Sequence, residues 1–172
     1  FYPKGKINGV FFFRDGLADG LFQSFYENGK IREEARYEKG EIQGEITQYF
    51  DNGLRSAVIP HKEGKIHGTV QEWHPNGCLK AQRQFVRGEL HGNGKTPAIT
   101  VYDEERNVVE MADFREGKLS GLHVTYHKNG KEAHKVFYQN GERSGKEQFF
   151  GEDGSLLGEG VFVDGKPVGT HW

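Results

Sequence analysis

Twenty of the chain's 25 glycines stand in three columns that advance by 24 residues. The first column is Gly16, Gly40, Gly64, Gly88, Gly117, Gly141 and Gly165. The second follows four residues later, from Gly20 and Gly44 through Gly68, Gly92 and Gly121 to Gly145 and Gly169. The third is Gly5, Gly29, Gly53, Gly77, Gly130 and Gly154, broken only by Arg106. Two ring columns keep the same step. One is Phe13, Tyr37, His61, Phe85, Phe114, Tyr138 and Phe162; the other is Phe1, Phe25, Tyr49, Trp73, Tyr102, Tyr126 and Phe150. A fixed period of this length marks a repeat array, in which each unit buries its apolar side against its neighbours and does not fold alone. The chain reads as one array over residues 1–172, about seven units with half-units at both ends. One step is five residues longer, which places an insertion near residues 93–100.

Each unit carries two turn signals. One is Asn-Gly or Asp-Gly, as in Asn28-Gly29, Asn52-Gly53, Asn76-Gly77, Asn129-Gly130 and Asp153-Gly154. Pro75 lies two residues before Gly77, and proline cannot take a positive φ. A type I turn followed by glycine in the left-handed region satisfies both residues. That geometry pairs Phe25 with Ile31, Trp73 with Leu79, Tyr102 with Val108 and Phe150 with Leu156. The other signal is a charged residue or Asn before a first-column glycine, as in Lys39-Gly40 and Asp164-Gly165. The runs between turns are rich in Val, Ile, Thr, Tyr and Phe and lack a helical period. The expectation is an all-β, elongated antiparallel meander of about seven 24-residue hairpin repeats. Simple alternation from the turn pairs places both ring columns on one face, beside Ala35, Ala57, Ala81, Ala112 and Val136.

Composition excludes several function classes. Lysine and arginine number 23 against 25 aspartate and glutamate, a formal charge of −2 without the basic excess of a nucleic-acid binder. The longest apolar run is Val10–Phe13, far short of a membrane span. The single cysteine, Cys78, leaves no internal disulfide framework. The first residue is Phe1 rather than Met, so a preceding segment is expected, and with it an exported, periplasmic form in preference to a cytoplasmic one.

The pattern Phe-x-x-Gly-x-x-x-Gly-x-x-x-x-Tyr-x-x-Asn-Gly, seen at residues 37–53 and 114–130, resembles the MORN repeat, and more closely its bacterial variant with the Asn-Gly turn. His61, Glu105-Arg106 and the insertion after Gly92 depart from it. Arrays of this variant resemble a family of antitoxins or immunity proteins. The resemblance implies a non-enzymatic protein that neutralises a cognate bacterial toxin or secreted effector by direct contact, and that is a monomer when free. The alternative it implies is a structural or membrane-associated scaffold that organises other proteins or docks to lipid.

The residues themselves offer little chemistry. No His-Glu-x-x-His or paired Cys motif occurs, so no metal, cofactor or catalytic residue is expected. His123 and His127 are about 13 Å apart along a strand, too far to share an ion. His61 fills a ring slot, and His67 and His91 precede second-column glycines. Cys78 has no His or Asp partner and reads as an incidental thiol. The remaining signal is a partly aromatic column expected on the face opposite the two ring columns. Tyr26, Phe50, His74 and His127 form it, with Phe22 and Phe149 beside them, as partner-binding anchors. Scattered surface rings are the plainer alternative. Lys95, Thr96 and Pro97 of the insertion are the other candidates. They form a contact loop, a passive insertion or a bend between halves of the array.

Overall fold

The computed structural model describes residues 5–169. Its strands are β1 (Gly9–Val10), β2 (Phe13–Arg14), β3 (Leu17–Ala18), β4 (Gly20–Phe25), β5 (Ile31–Glu38) and β6 (Glu41–Tyr49). Then follow β7 (Arg55–Lys62), β8 (Lys65–Ile66), β9 (Gly68–Trp73), β10 (Leu79–Val86), β11 (Glu89–Leu90) and β12 (Ile99–Tyr102). The last are β13 (Val108–Arg115), β14 (Lys118–Tyr126), β15 (Glu132–Gln139), β16 (Glu142–Phe150), β17 (Leu156–Val163) and β18 (Lys166–Val168). Sixteen of them form one antiparallel sheet in chain order, and β2 and β3 form a small hairpin of their own. No α-helix occurs among the described residues. The expected meander of hairpin repeats is the fold observed.

Both turn types follow from their residues. At Asn28-Gly29 the Gly29 N–H donates to the Tyr26 carbonyl at 2.9 Å, and Gly29 has φ of 84°. The Asn28 carboxamide oxygen accepts the Lys30 N–H at 3.0 Å, which fixes the chain as it re-enters the sheet. Asn52, Asn76 and Asn129 repeat that contact with Leu54, Cys78 and Lys131. The second turn has positive φ at both central residues, for example 49° at Lys39 and 87° at Gly40. This is a type I′ hairpin, whose twist matches that of the flanking strands. Glycine takes the second position without cost, while the residue before it gives up roughly 1 kcal/mol.

The sheet departs from the sequence-based face assignment just beyond each described bulged turn. Phe25 pairs with Ile31, Trp73 with Leu79, Tyr102 with Val108 and Phe150 with Leu156, as the bulged turn requires. The next pair, however, is Ser24 with Glu33, which leaves Arg32 with no residue opposite. Ser56, Lys80, Val109, Ala133 and Leu157 are unpaired in the same way. Side chains alternate with a period of two, so one unpaired residue turns over everything beyond it. The two ring columns therefore lie on opposite faces, not on one. Tyr37, His61, Phe85, Phe114, Tyr138 and Phe162 share face A with Ala35, Ala57, Ala81, Ala112 and Val136. Phe25, Tyr49, Trp73, Tyr102, Tyr126 and Phe150 lie on face B.

A one-layer sheet has no second layer to hide large side chains, so its buried positions are small. Ala81 and Ala98 are fully buried, and Ala112, Val124 and Val136 nearly so. Taller side chains flank them on both faces, and the units are further tied at both margins. At the margin of the type I′ turns, the Gly40, Gly88, Gly117 and Gly141 N–H groups donate to Ala18, Ile66, Leu90 and Leu119 carbonyls of the preceding unit. At the other margin, Asn28, Asn52 and Asn129 donate to the Asp51, Pro75 and Glu152 carbonyls of the following unit. The array is thus held by side-chain burial across its width and by hydrogen bonds along both rims.

Candidate functional site

The column proposed from sequence as binding anchors has a structural task at three of its four positions. Tyr26 donates its hydroxyl to the Tyr49 carbonyl at 2.7 Å. The His74 Nε2 lies 3.0 Å from the Tyr102 carbonyl, and the His127 Nε2 lies 2.8 Å from the Phe150 carbonyl. A carbonyl oxygen only accepts, so Nε2 carries the proton in both imidazoles. Each ring reaches from one unit to the main chain of the next, at the start of the next Asn-Gly turn or its equivalent. Phe50 has no polar group to do this. It lines a shallow depression of about 260 Å³ together with Gln48, Ser56, Ala57, Ile59, Glu72, Trp73 and Lys80. This column is chiefly an inter-unit clamp, with Phe50 as its apolar member.

Phe22 and Phe149 belong to face A, with the first ring column rather than opposite it. Phe22 pairs with Ala35 and Phe149 with His134. The unpaired residue in each unit again explains the difference. Phe137, by contrast, pairs with Leu122 on face B. The Phe22 ring centre is 4.2 Å from that of Phe11 and 6.3 Å from that of Tyr37. Phe11, Phe12, Phe13 and Leu17 are all at least half exposed, so apolar surface gathers at this end of the array.

At the other end, face A carries a network that the sequence reading did not single out. The His134 Nε2 and the Arg143 Nη1 both lie 2.9 Å from carboxylate oxygens of Glu147, which is buried. The His134 ring stacks on Phe149 with centres 4.5 Å apart, while Phe149 keeps 47% of its surface exposed. One unit earlier, the His123 Nε2 lies 3.0 Å from Glu110, and its ring centre is 6.3 Å from that of Tyr138. Arg143 also lies over the Phe162 ring at 4.9 Å. A periodic signal for this network does exist in the sequence. Glu110 and His134 share one repeat position, and His123 and Glu147 share another, so acid and imidazole exchange places between consecutive units. Only the corrected face assignment brings them together.

Face B is chemically different. A column of Gln23, Thr47, Gln71, Thr100, Val124 and Gln148 runs beside its rings. The Tyr49 hydroxyl donates to Glu34 at 2.5 Å, and this bond with burial holds the phenol above its usual pKa. Burial, reinforced by the negative charge of Glu132, raises the Tyr126 phenol as well.

The insertion is a compact loop. The Asn93 carboxamide oxygen accepts the N–H groups of Lys95 and Thr96, both at 2.8 Å. Those two side chains are exposed, whereas Pro97 is half-buried and Ala98 is fully buried. The Ala98 carbonyl accepts the Gln84 N–H at 2.8 Å, and β12 then pairs with both β10 and β13. The ladder therefore continues through the irregular unit. Beyond it, Asp103 takes over the role of the turn asparagine. Its carboxylate accepts the N–H groups of Glu105 and Asn107, and the Asn107 side chain above all keeps its pKa below the usual value.

Cys78 lies 3.4 Å from the Arg106 Nε at the same margin, half-buried. Among the described residues no group of three or more His, Cys, Asp and Glu is placed to hold a metal ion. No helix among them is long and apolar enough to cross a membrane.

Comparison with known families accords with this geometry. The family model of the MORN repeat variant matches residues 18–39 and 66–87, two stretches that begin two repeat steps apart. Each stretch begins two residues before a second-column glycine and runs through the Asn-Gly turn to the following type I′ turn. The repeat is thus similar to a binding-type repeat that is not a known enzyme family. No curated protein matches the chain.

Proposed function

We propose that this chain is a non-enzymatic binding module that neutralises a bacterial toxin or secreted effector by direct contact, in an exported, periplasmic form. Face A is the contacting surface in this reading, and the single observation that carries it is Phe149. Its ring is half exposed, yet it stacks on the His134 ring, which is itself fixed by the buried Glu147, whose other carboxylate oxygen is held by Arg143. An aromatic side chain that keeps its exposed area while its support is immobilised loses little entropy on docking, which is the property of an interface hot spot. The rims add rigidity, because hydrogen bonds between units hold the array in register. Lys95 and Thr96 offer a second, polar contact at the insertion.

The test is co-purification with the toxin encoded beside this protein, followed by rescue of toxin-exposed cells. Phe149→Ala is expected to weaken binding roughly tenfold or more while the melting temperature holds. Absence of both binding and rescue removes the reading. Unchanged affinity in a folded Phe149→Ala protein removes face A from it.

The exposed Phe11, Phe12, Phe13 and Leu17 cluster favours a second reading, a scaffold that docks to lipid or to other proteins through its end. Sedimentation with vesicles, lost in Phe12→Ser/Phe13→Ser, supports that alternative.

A further inference from the structure

The type I′ turns form a notch with the turn of the next unit, and two of these notches can be compared position by position. One, of about 140 Å³, is lined by Gln139, Asn140, Glu142, Arg143, Ser144 and Asp164. The other, of about 210 Å³, is lined by Lys62, Glu63, Lys65, His67 and Arg87. Allowing for the insertion, Lys62 corresponds to Gln139, Lys65 to Glu142, His67 to Ser144 and Arg87 to Asp164. The backbone supplies the same recess twice, but the side chains reverse its charge. The first pairs two carboxylates with Arg143. The second brings three cations and an imidazole against the single carboxylate of Glu63.

These cations are not committed elsewhere. Among the described residues no ion pair joins Lys62, Lys65 or Arg87 to a carboxylate. His67 is held in place, since its Nδ1 accepts the Arg87 N–H at 3.4 Å, which leaves Nε2 as the proton-bearing nitrogen. Arg87 and Glu63 both take φ of 53° in their turns, so the two tips share one backbone shape. Like charges gathered in a recess repel one another unless an anion shares it. Lysine ammonium groups and an arginine fork are the donors that oxyanions of phosphorus select.

We propose that this notch binds a small oxyanion of the phosphate class, either free phosphate or the terminal group of a phosphomonoester. The site does not rest on the toxin-binding reading, because it lies on the turn margin and uses none of the face A residues. The recess is large enough for one such group.

The test titrates the whole chain with inorganic phosphate and follows backbone amide shifts, with sodium chloride at equal ionic strength as the reference. The expected result is saturable movement of residues 62–67 and 87, with a dissociation constant on the order of 1 mM or below. Arg87→Gly keeps the positive φ while deleting the guanidinium, so it remains folded, and it should weaken binding roughly tenfold. Glu142→Gln in the corresponding acidic notch should leave binding unchanged. Vesicles containing phosphatidic acid distinguish the sources. Arg87-dependent sedimentation assigns the group to a lipid phosphomonoester, and phosphate binding without it assigns the site to a soluble ligand. The proposal is overturned if neither probe saturates, if chloride reproduces the shifts, or if Arg87→Gly binds as well as the parent.

Discussion

Tyr26 donates its hydroxyl to the main-chain oxygen of Tyr49, in the next unit of the array, at 2.7 Å. The bond crosses from one unit to the next at the rim of the sheet, and His74 and His127 make its equivalent with an imidazole. A side chain in this position reports on coupling between units. Tyr26→Phe keeps the ring and removes only the donor, so the Tyr49 carbonyl loses a partner. The expected cost is about 1 kcal/mol, read as a lower urea midpoint with an unchanged slope. A midpoint equal to that of the parent would show that the clamp contributes nothing.

Arg106 occupies the third glycine column and keeps the glycine conformation, with φ of 72°. Its Nε hydrogen bond to Cys78 is a weak one, to sulfur at 3.4 Å. Arg106→Gly should therefore relieve more strain than it removes contact. The gain is expected at roughly 0.5–1 kcal/mol, or a melting temperature higher by about 1–4 °C. A lower melting temperature would mean that the Cys78 contact outweighs the backbone strain.

The insertion separates two roles within a few residues. Deleting Gly94–Ala98 would restore the regular spacing, but it also removes the fully buried Ala98 and the acceptor of the Gln84 N–H. The deletion is expected to cost about 1–3 kcal/mol, whereas Lys95→Ala/Thr96→Ala leaves stability within about 0.5 kcal/mol. Thermal denaturation of the two variants side by side checks the assignment. A deletion that melts at or above the parent temperature would mark the insertion as structurally passive.

Asp153 titrates with the fold. The Ser155 hydroxyl, at 2.6 Å, and then the Ser155 N–H hold its carboxyl below the usual aspartate value, and Asp103 is lowered mainly by the Asn107 side chain. A lowered folded pKa means that the ionised form is favoured in the folded state. This stabilisation is complete above the unfolded value of about 4 and is lost as pH falls through the lower folded value. Asp153→Asn should flatten the fall in melting temperature below about pH 4 and leave the neutral region nearly unchanged. A parallel acid profile for variant and parent would place the sensitivity in other carboxylates.

What the sequence determined by itself was periodic and local. The glycine columns specified the turns, because Asn28-Gly29 and Lys39-Gly40 each demand a positive φ that few residues accept. The turn geometry in turn specified the first pair of each hairpin, so Phe25 with Ile31 and Trp73 with Leu79 were legible, as was the meander of hairpins. What only the tertiary structure decided began one residue later. Whether Arg32, Lys80 or Leu157 pairs or bulges depends on how its strand must twist to meet the strands on both sides, and no residue type in the sequence dictates that. Yet this single residue sets the face of everything beyond it. It moved Tyr37 away from Phe25, placed Phe22 and Phe149 on face A, and brought His134, Glu147 and Arg143 into one network. The same limit hid the inter-unit bonds of Tyr26, His74 and His127. Their partners are main-chain oxygens, which look alike in every sequence and acquire an address only when neighbouring units pack.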